Sequence, residues 1–199
     1  MKKPITFRES NGELNIPRIG GKSFLPNDLE WPTNPDGEKL TLVLSLPAIF
    51  LNSILQFDYP SDKVISVFTT YNPDDYFLHG IVYHGDTEEL GNIKSGFTKV
   101  ILHSVGTPRN DSDFLIPAHE IVVDVNTDNE HGTFLGGEPV LLQNEKLEIG
   151  SAQFCMQIYG GDFPTGFQNI FYLSDSTGYL FLDKEENASD IGLFFTQCT

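Results

Sequence analysis

Pro17-Arg18-Ile19-Gly20-Gly21-Lys22-Ser23-Phe24-Leu25-Pro26-Asn27-Asp28-Leu29-Glu30-Trp31-Pro32 is the stretch on which the reading of the fold turns, and Phe134-Leu135-Gly136-Gly137-Glu138-Pro139-Val140-Leu141-Leu142 is its reduced echo. In both, a Gly-Gly pair permits positive φ or close backbone approach. Pro17, Pro26 and Pro32 exclude a helix interior from the first stretch. It therefore reads as an extended, turn-punctuated segment pegged to the body by Phe24, Leu25, Leu29 and Trp31.

Working outward, the parts that follow each Gly-Gly come in the same order. Thr33-Asn34-Pro35-Asp36-Gly37 carries Pro-Asp-Gly turn chemistry. Leu40, Leu42, Leu44 and Leu46 then recur at period two and predict a strand with one core face. Pro47 is a favoured first helical residue, and Ile49, Phe50, Ile54, Leu55 and Phe57 mark one clear amphipathic helix near residues 47–57. The turn Tyr59-Pro60-Ser61-Asp62 leads to a β-branched and aromatic strand over 64–71. Further strands are expected over 77–84, 97–105 and 116–125.

In the second copy, 152–158 stands for the first strand, Phe163-Pro164-Thr165 for the turn and 169–173 for the next block, with the helix absent. Strands over 178–182 and 191–196 close the chain. This order predicts an internal duplication. The expected fold is α+β and β-dominated, with two pseudo-repeated lobes of mostly antiparallel strands. The first lobe covers about 17–125 and the second about 134–199. No low-complexity linker separates them, so they share one core in a single compact domain, 1–199, behind a polar leader, 1–16.

Composition narrows the function classes. Over 199 residues, 12 Lys and Arg stand against 28 Asp and Glu, a formal charge of −16. That field repels phosphate backbones and anionic membranes and steers basic partners inward. Neither nucleic acid nor membrane is an expected partner. Cys155 and Cys198 lie far apart in sequence and in no metal-ligand spacing, which argues for reduced thiols in a cytoplasm. No run of 18 apolar residues and no signal-peptide pattern appears, so a cytoplasmic location is expected.

No catalytic constellation emerges. His79, His84, His103, His119 and His131 lack a helical metal-pair spacing and read as surface or cross-strand histidines. The loop 124–130 places oxygen-bearing residues at alternate positions, but Asn129 and Leu135 occupy the places where a calcium loop needs Gly and Glu. Cys155, between Phe154 and Met156, reads as a buried, inert thiol. Ser61 and Ser66 lack a nucleophile elbow, and neither Gly136-Gly137 nor Gly160-Gly161 opens a phosphate-binding helix. No catalytic residue, cofactor or metal is assigned.

Arg18, Gly20-Gly21, Leu25-Pro26 and Trp31-Pro32, followed by the strand at 42–46, the Tyr59-Pro60-Ser61-Asp62 turn and Gly136-Gly137-Glu138-Pro139, resemble the signature blocks of the YwqG-like family of bacterial proteins of unknown function. Pro17, Ser23 and Lys63 depart from its usual residues. The resemblance implies a two-part, β-dominated fold in an intracellular bacterial protein. By association with toxin-neutralising neighbourhoods it also suggests an immunity role.

The leading expectation is a non-enzymatic cytosolic protein-binding module, an immunity-type inhibitor of a basic toxin. The alternative is an enzyme or a small-ligand or metal-binding protein with its site in the cleft between the lobes. Partner-binding candidates are Arg18, Asp28 and Trp31 in the opening stretch, which the echo does not reproduce, and Asp183, Glu185 and Glu186 in an acidic turn.

Overall fold

β-branched and aromatic runs form the central strands. Lys63–Thr69 makes β4, flanked by β3 (Thr41–Pro47) and β5 (Thr98–Ser104) in antiparallel register. Between β3 and β4 the apolar stretch Ala48–Leu55 forms helix α1, which ends where Gln56 turns left-handed at φ 61°. The computed structural model describes residues 1–124, 132–143, 146–184 and 190–199. The other strands are β1 (Lys3–Glu9), β2 (Arg18–Ile19), β6 (His119–Val123), β7 (Phe134–Leu135), β8 (Gln153–Tyr159), β9 (Thr177–Leu182) and β10 (Gly192–Gln197). Two short helices, α2 (Leu78–Ile81) and α3 (Thr87–Asn92), precede β5. The fold is thus β-dominated, its ladders antiparallel, with α1 as its clear helix.

The ten strands form one sheet in the order β10-β9-β8-β7-β1-β6-β2-β3-β4-β5. Its outer strands meet again, because Ile191 N–H donates to the Val100 carbonyl at 3.0 Å and Ile101 bridges Asp190. The sheet is therefore nearly closed on itself. Inside lies the main core, including Ile19, Leu44, Leu46, Ile65, Leu135, Met156, Leu180 and Phe194.

The order reads the same from either side of the β1–β6 pair. β2 precedes Gly20-Gly21 and β7 precedes Gly136-Gly137, all four glycines having φ between 58° and 73°. The next strand in each half bulges at the same place, Val43 in β3 and Cys155 in β8. Each bulge carbonyl accepts a bond from the first glycine, Gly20 N–H to Val43 at 2.9 Å and Gly136 N–H to Cys155 at 2.8 Å. The first strands are exchanged: β1 precedes β2 in the chain yet pairs with β7, while β6 precedes β7 yet pairs with β2.

Several sequence expectations are corrected. Lys3–Glu9, read as part of a leader, is β1, bonded to both β6 and β7. The leucine repeat does not lie on one face, because the bulge shifts the alternation: Leu44 and Leu46 join the main core, while Leu40 and Leu42 pack on the outside. The segment 77–84 is helical at α2, and α3 is capped by Asp86, whose carboxylate accepts from the N–H groups of Glu88 and Glu89. Residues 169–173 are turns, so the counterpart of β4 is β9.

Candidate functional site

Each half carries a small apolar cluster on the outside of the sheet, covered by the segment that follows its Gly-Gly. In the first half Leu25 and Trp31 of a strap, 20–32, pack onto Leu40, Leu42 and Phe68. Arg109 fastens that strap by donating to the carbonyls of Leu25 at 3.1 Å, Pro26 at 3.1 Å and Leu29 at 2.6 Å, and it pairs with Asp111 at 3.0 Å. In the second half the sheet's own side chains do the fastening. Gln157 Oε1 accepts from Val140 N–H at 2.9 Å, Tyr179 O–H donates to the Val140 carbonyl at 2.7 Å, and Gln197 Oε1 accepts from Leu142 N–H at 2.9 Å. Burial pushes the Tyr179 phenol up to about 12.

At the matching sheet positions of the first half stand Arg18, Ser45, Ser66 and His103. All four are buried. His103 Nδ1 faces the Ser104 carbonyl at 2.7 Å, so it carries the proton, and Nε2 accepts from the Ser66 hydroxyl at 2.8 Å. Burial lowers the His103 pKa, with Arg109 adding to the effect against the bond to Ser104. Arg18 gives one bond, Nη2 to the Lys22 carbonyl at 2.6 Å, and its guanidinium lies 5.1 Å from the Phe24 ring centroid.

A different site opens to solvent where two Asn-Pro-Asp turns meet. Asn34 Oδ1 accepts from the N–H groups of Asp36 at 3.1 Å and Glu38 at 2.8 Å, while Asn72 Oδ1 accepts from Asp74 N–H at 3.1 Å. The two asparagine amides then converge on one carboxylate: Asn34 Nδ2 donates to Glu38 Oε2 and Asn72 Nδ2 to Glu38 Oε1, each at 3.0 Å. Glu38 is thereby held in a fixed orientation. Asp36, Glu38 and Asp75 line a depression of about 140 Å³ with Tyr76, Phe77, His79 and Phe97, and no Lys or Arg enters the lining. Tyr76 is 55% exposed, stacks on His79 at 5.5 Å and meets Tyr172 edge-on at 5.2 Å.

The residues named from sequence are dispersed. The side chains of Arg18 and Trp31 are buried, Trp31 donating to the Leu40 carbonyl at 2.8 Å. Asp28 is exposed on the strap, and Asp183 is half-buried after β9, where its carbonyl accepts from the Tyr59 hydroxyl. No hydrogen bond or ion pair joins these four. Glu185, Glu186 and loop positions 125–130 lie outside the described residues. Asp36, Glu38, Asp75 and Tyr76 were missed, although the repeated Asn-Pro-Asp triplet was a usable signal.

A larger open groove of about 880 Å³ runs beside β1 and β8, and its described lining contains Lys3, Glu138 and Lys184 but no His, Cys or Asp. Among the described residues no three His, Cys, Asp or Glu side chains are grouped to hold a metal ion, and no helix is long and apolar enough to cross a membrane. No protein-family model matches the chain, and no curated protein matches it either.

Proposed function

We propose that this protein is a non-enzymatic binding module for a basic protein partner, an immunity-type inhibitor as its resemblance to the YwqG-like family suggests. The observation that carries the reading is the depression bounded by Asp36, Glu38 and Asp75 with Tyr76 standing exposed at its edge. A Lys or Arg side chain suits it chemically: carboxylates meet the charge, and the exposed Tyr76 ring flanks the cation and its alkyl stem. Because Glu38 is already held by two amides, ordering it on binding costs little entropy. The −16 net charge adds long-range steering toward a cationic surface.

The test is affinity capture of basic proteins from the source organism's lysate at low salt, with wild type and Tyr76→Ala side by side. The wild type is expected to retain a basic protein that high salt releases. Tyr76→Ala, removing an exposed aromatic anchor, is expected to weaken that complex by about 2 kcal/mol, roughly thirtyfold in Kd. Equal retention by both, or retention indifferent to salt, argues against this site.

A further inference from the structure

Arg18 is an anomaly of the outer face. It is fully buried, yet its Nε and Nη1 have no hydrogen-bond partner. Three N–H groups are thus unclaimed. Glu120, its register partner on β6, makes no ion pair with it, and no other described carboxylate does. The Oγ of Ser45, the direct cross-strand partner of Arg18 on β3, is buried and equally without a partner. Two neighbouring donors on the same face therefore point at nothing, an arrangement that costs several kcal/mol unless something answers it.

The structural role of this position needs no charge. Phe134 occupies the same place in the other half, and Gln157 the place of Ser45, and there the side-chain amide accepts from Val140 of the covering segment and donates to the Gly132 carbonyl. Arg18 holds its own strap only at Lys22, through Nη2, and Arg109 makes the bonds farther along it. Glycine borders the guanidinium: a Cβ at Gly21 would lie 3.1 Å from Nε and one at Gly12 3.7 Å away, and each would also meet Ala118 Cβ, at 3.1 Å and 3.5 Å. Burial brings the Arg18 pKa down to about 10, so the group stays cationic at neutral pH.

We propose that Arg18 and Ser45 form a covered receptor for a small oxyanion, the carboxylate or phosphate group of a small-molecule ligand, held beneath the segment Gly20–Pro26. The guanidinium supplies charge-assisted N–H donors and the serine a hydroxyl donor. The Phe24 ring closes one side of the guanidinium. This site lies on a different part of the sheet from the depression at Tyr76 and stands or falls independently of it.

Inorganic phosphate and acetate, at constant ionic strength, are the probes. Trp31, the single tryptophan, lies in the covering strap and reports binding by fluorescence alongside calorimetry and Tm. Wild type is expected to bind one of the two anions saturably at one site, with Tm rising as mass action requires. Preference for phosphate assigns a phosphorylated ligand, and preference for acetate a carboxylate ligand. Arg18→Met is expected to lose at least tenfold in affinity while keeping or gaining Tm without anion, since it removes an unpaired buried charge. Should Arg18→Met fail to fold, Ser45→Ala removes one donor with little volume change and is expected to weaken binding several-fold. The absence of saturable binding to wild type overturns the proposal, as does binding that both variants leave unchanged; the unclaimed donors then serve a buried water.

Discussion

His103 shows what a buried titratable group does to stability at the scale of one residue. Its folded pKa lies below the ordinary value because burial disfavours the imidazolium. The unfolded chain, with an imidazole near 6.5, takes up a proton first as pH falls. The folded state's advantage is therefore complete above about pH 6.5 and is lost as pH drops toward the folded pKa. Gln197, which occupies the matching place in β10, shows that this position accepts an uncharged amide. In His103→Gln the loss of stability between pH 7.5 and pH 5.5 is expected to be smaller than in wild type, read from urea midpoints at both pH values. Parallel losses would show that His103 does not contribute.

Sequence made some of these residues legible and hid others. Cys155 is buried as its neighbours Phe154 and Met156 imply, and burial pushes its thiol up. The pairing of Ser66 with His103 was not readable, because it depends on which residue of β5 lies opposite β4. Register is set by the whole ladder. The burial of Arg18 was hidden for a related reason: a cation in a two-residue strand reads as surface until the strap over it is placed.

At the scale of elements, the Gly-Gly pairs and the bulges they meet define each half. Positive φ is required at both Gly20 and Gly136, at 58° and 65°. What a side chain would strike differs. A Cβ at Gly20 would sit 2.5 Å from the Ile116 carbonyl oxygen, whereas one at Gly136 would press at 2.7 Å on Leu55 Cδ2, the far end of a flexible side chain. Alanine is expected to cost about 1–2 kcal/mol at either site from the left-handed backbone. At Gly20 the clash with a fixed carbonyl adds roughly 1–3 kcal/mol. Chemical denaturation of Gly20→Ala and Gly136→Ala checks this; equal losses would mean that the backbone conformation alone decides.

The same elements explain where the pattern misled. Four leucines at period two promised a single core face, but a bulge at Val43 is not written in the alternation and moved Leu40 and Leu42 outside. The block 169–173 was aromatic enough for a strand, yet its side chains close the core from turns, Ile170 and Phe171 being fully buried. The helix after Pro47 was plain because its apolar period is long enough to count, whereas α2 and α3, with 4 and 6 residues, are too short for any period to show.

For the whole molecule, β1 is decisive. It bonds to β6 along Ile5–Glu9 and to β7 at Lys3–Pro4, so the two halves of the sheet meet through it. Its residues are largely polar, which made them read as a leader from sequence. Removing residues 1–9 would open both β6 and β7 to solvent and uncover Ile5 and its neighbours. Against a typical stability of about 5–15 kcal/mol, the truncated chain is expected to lose its cooperative unfolding transition in calorimetry. An unaltered transition would restore the reading of this segment as a leader.

The charge of the whole chain and the local chemistry at Tyr76 combine in the proposed recognition of a basic protein. Hydrogen exchange of the captured complex, measured against the free protein, tests this most directly. Protection confined mainly to residues 34–38 and 72–79, and abolished by raising the salt, is the result expected. Protection elsewhere on the sheet, with these two turns exchanging as in the free protein, would contradict it.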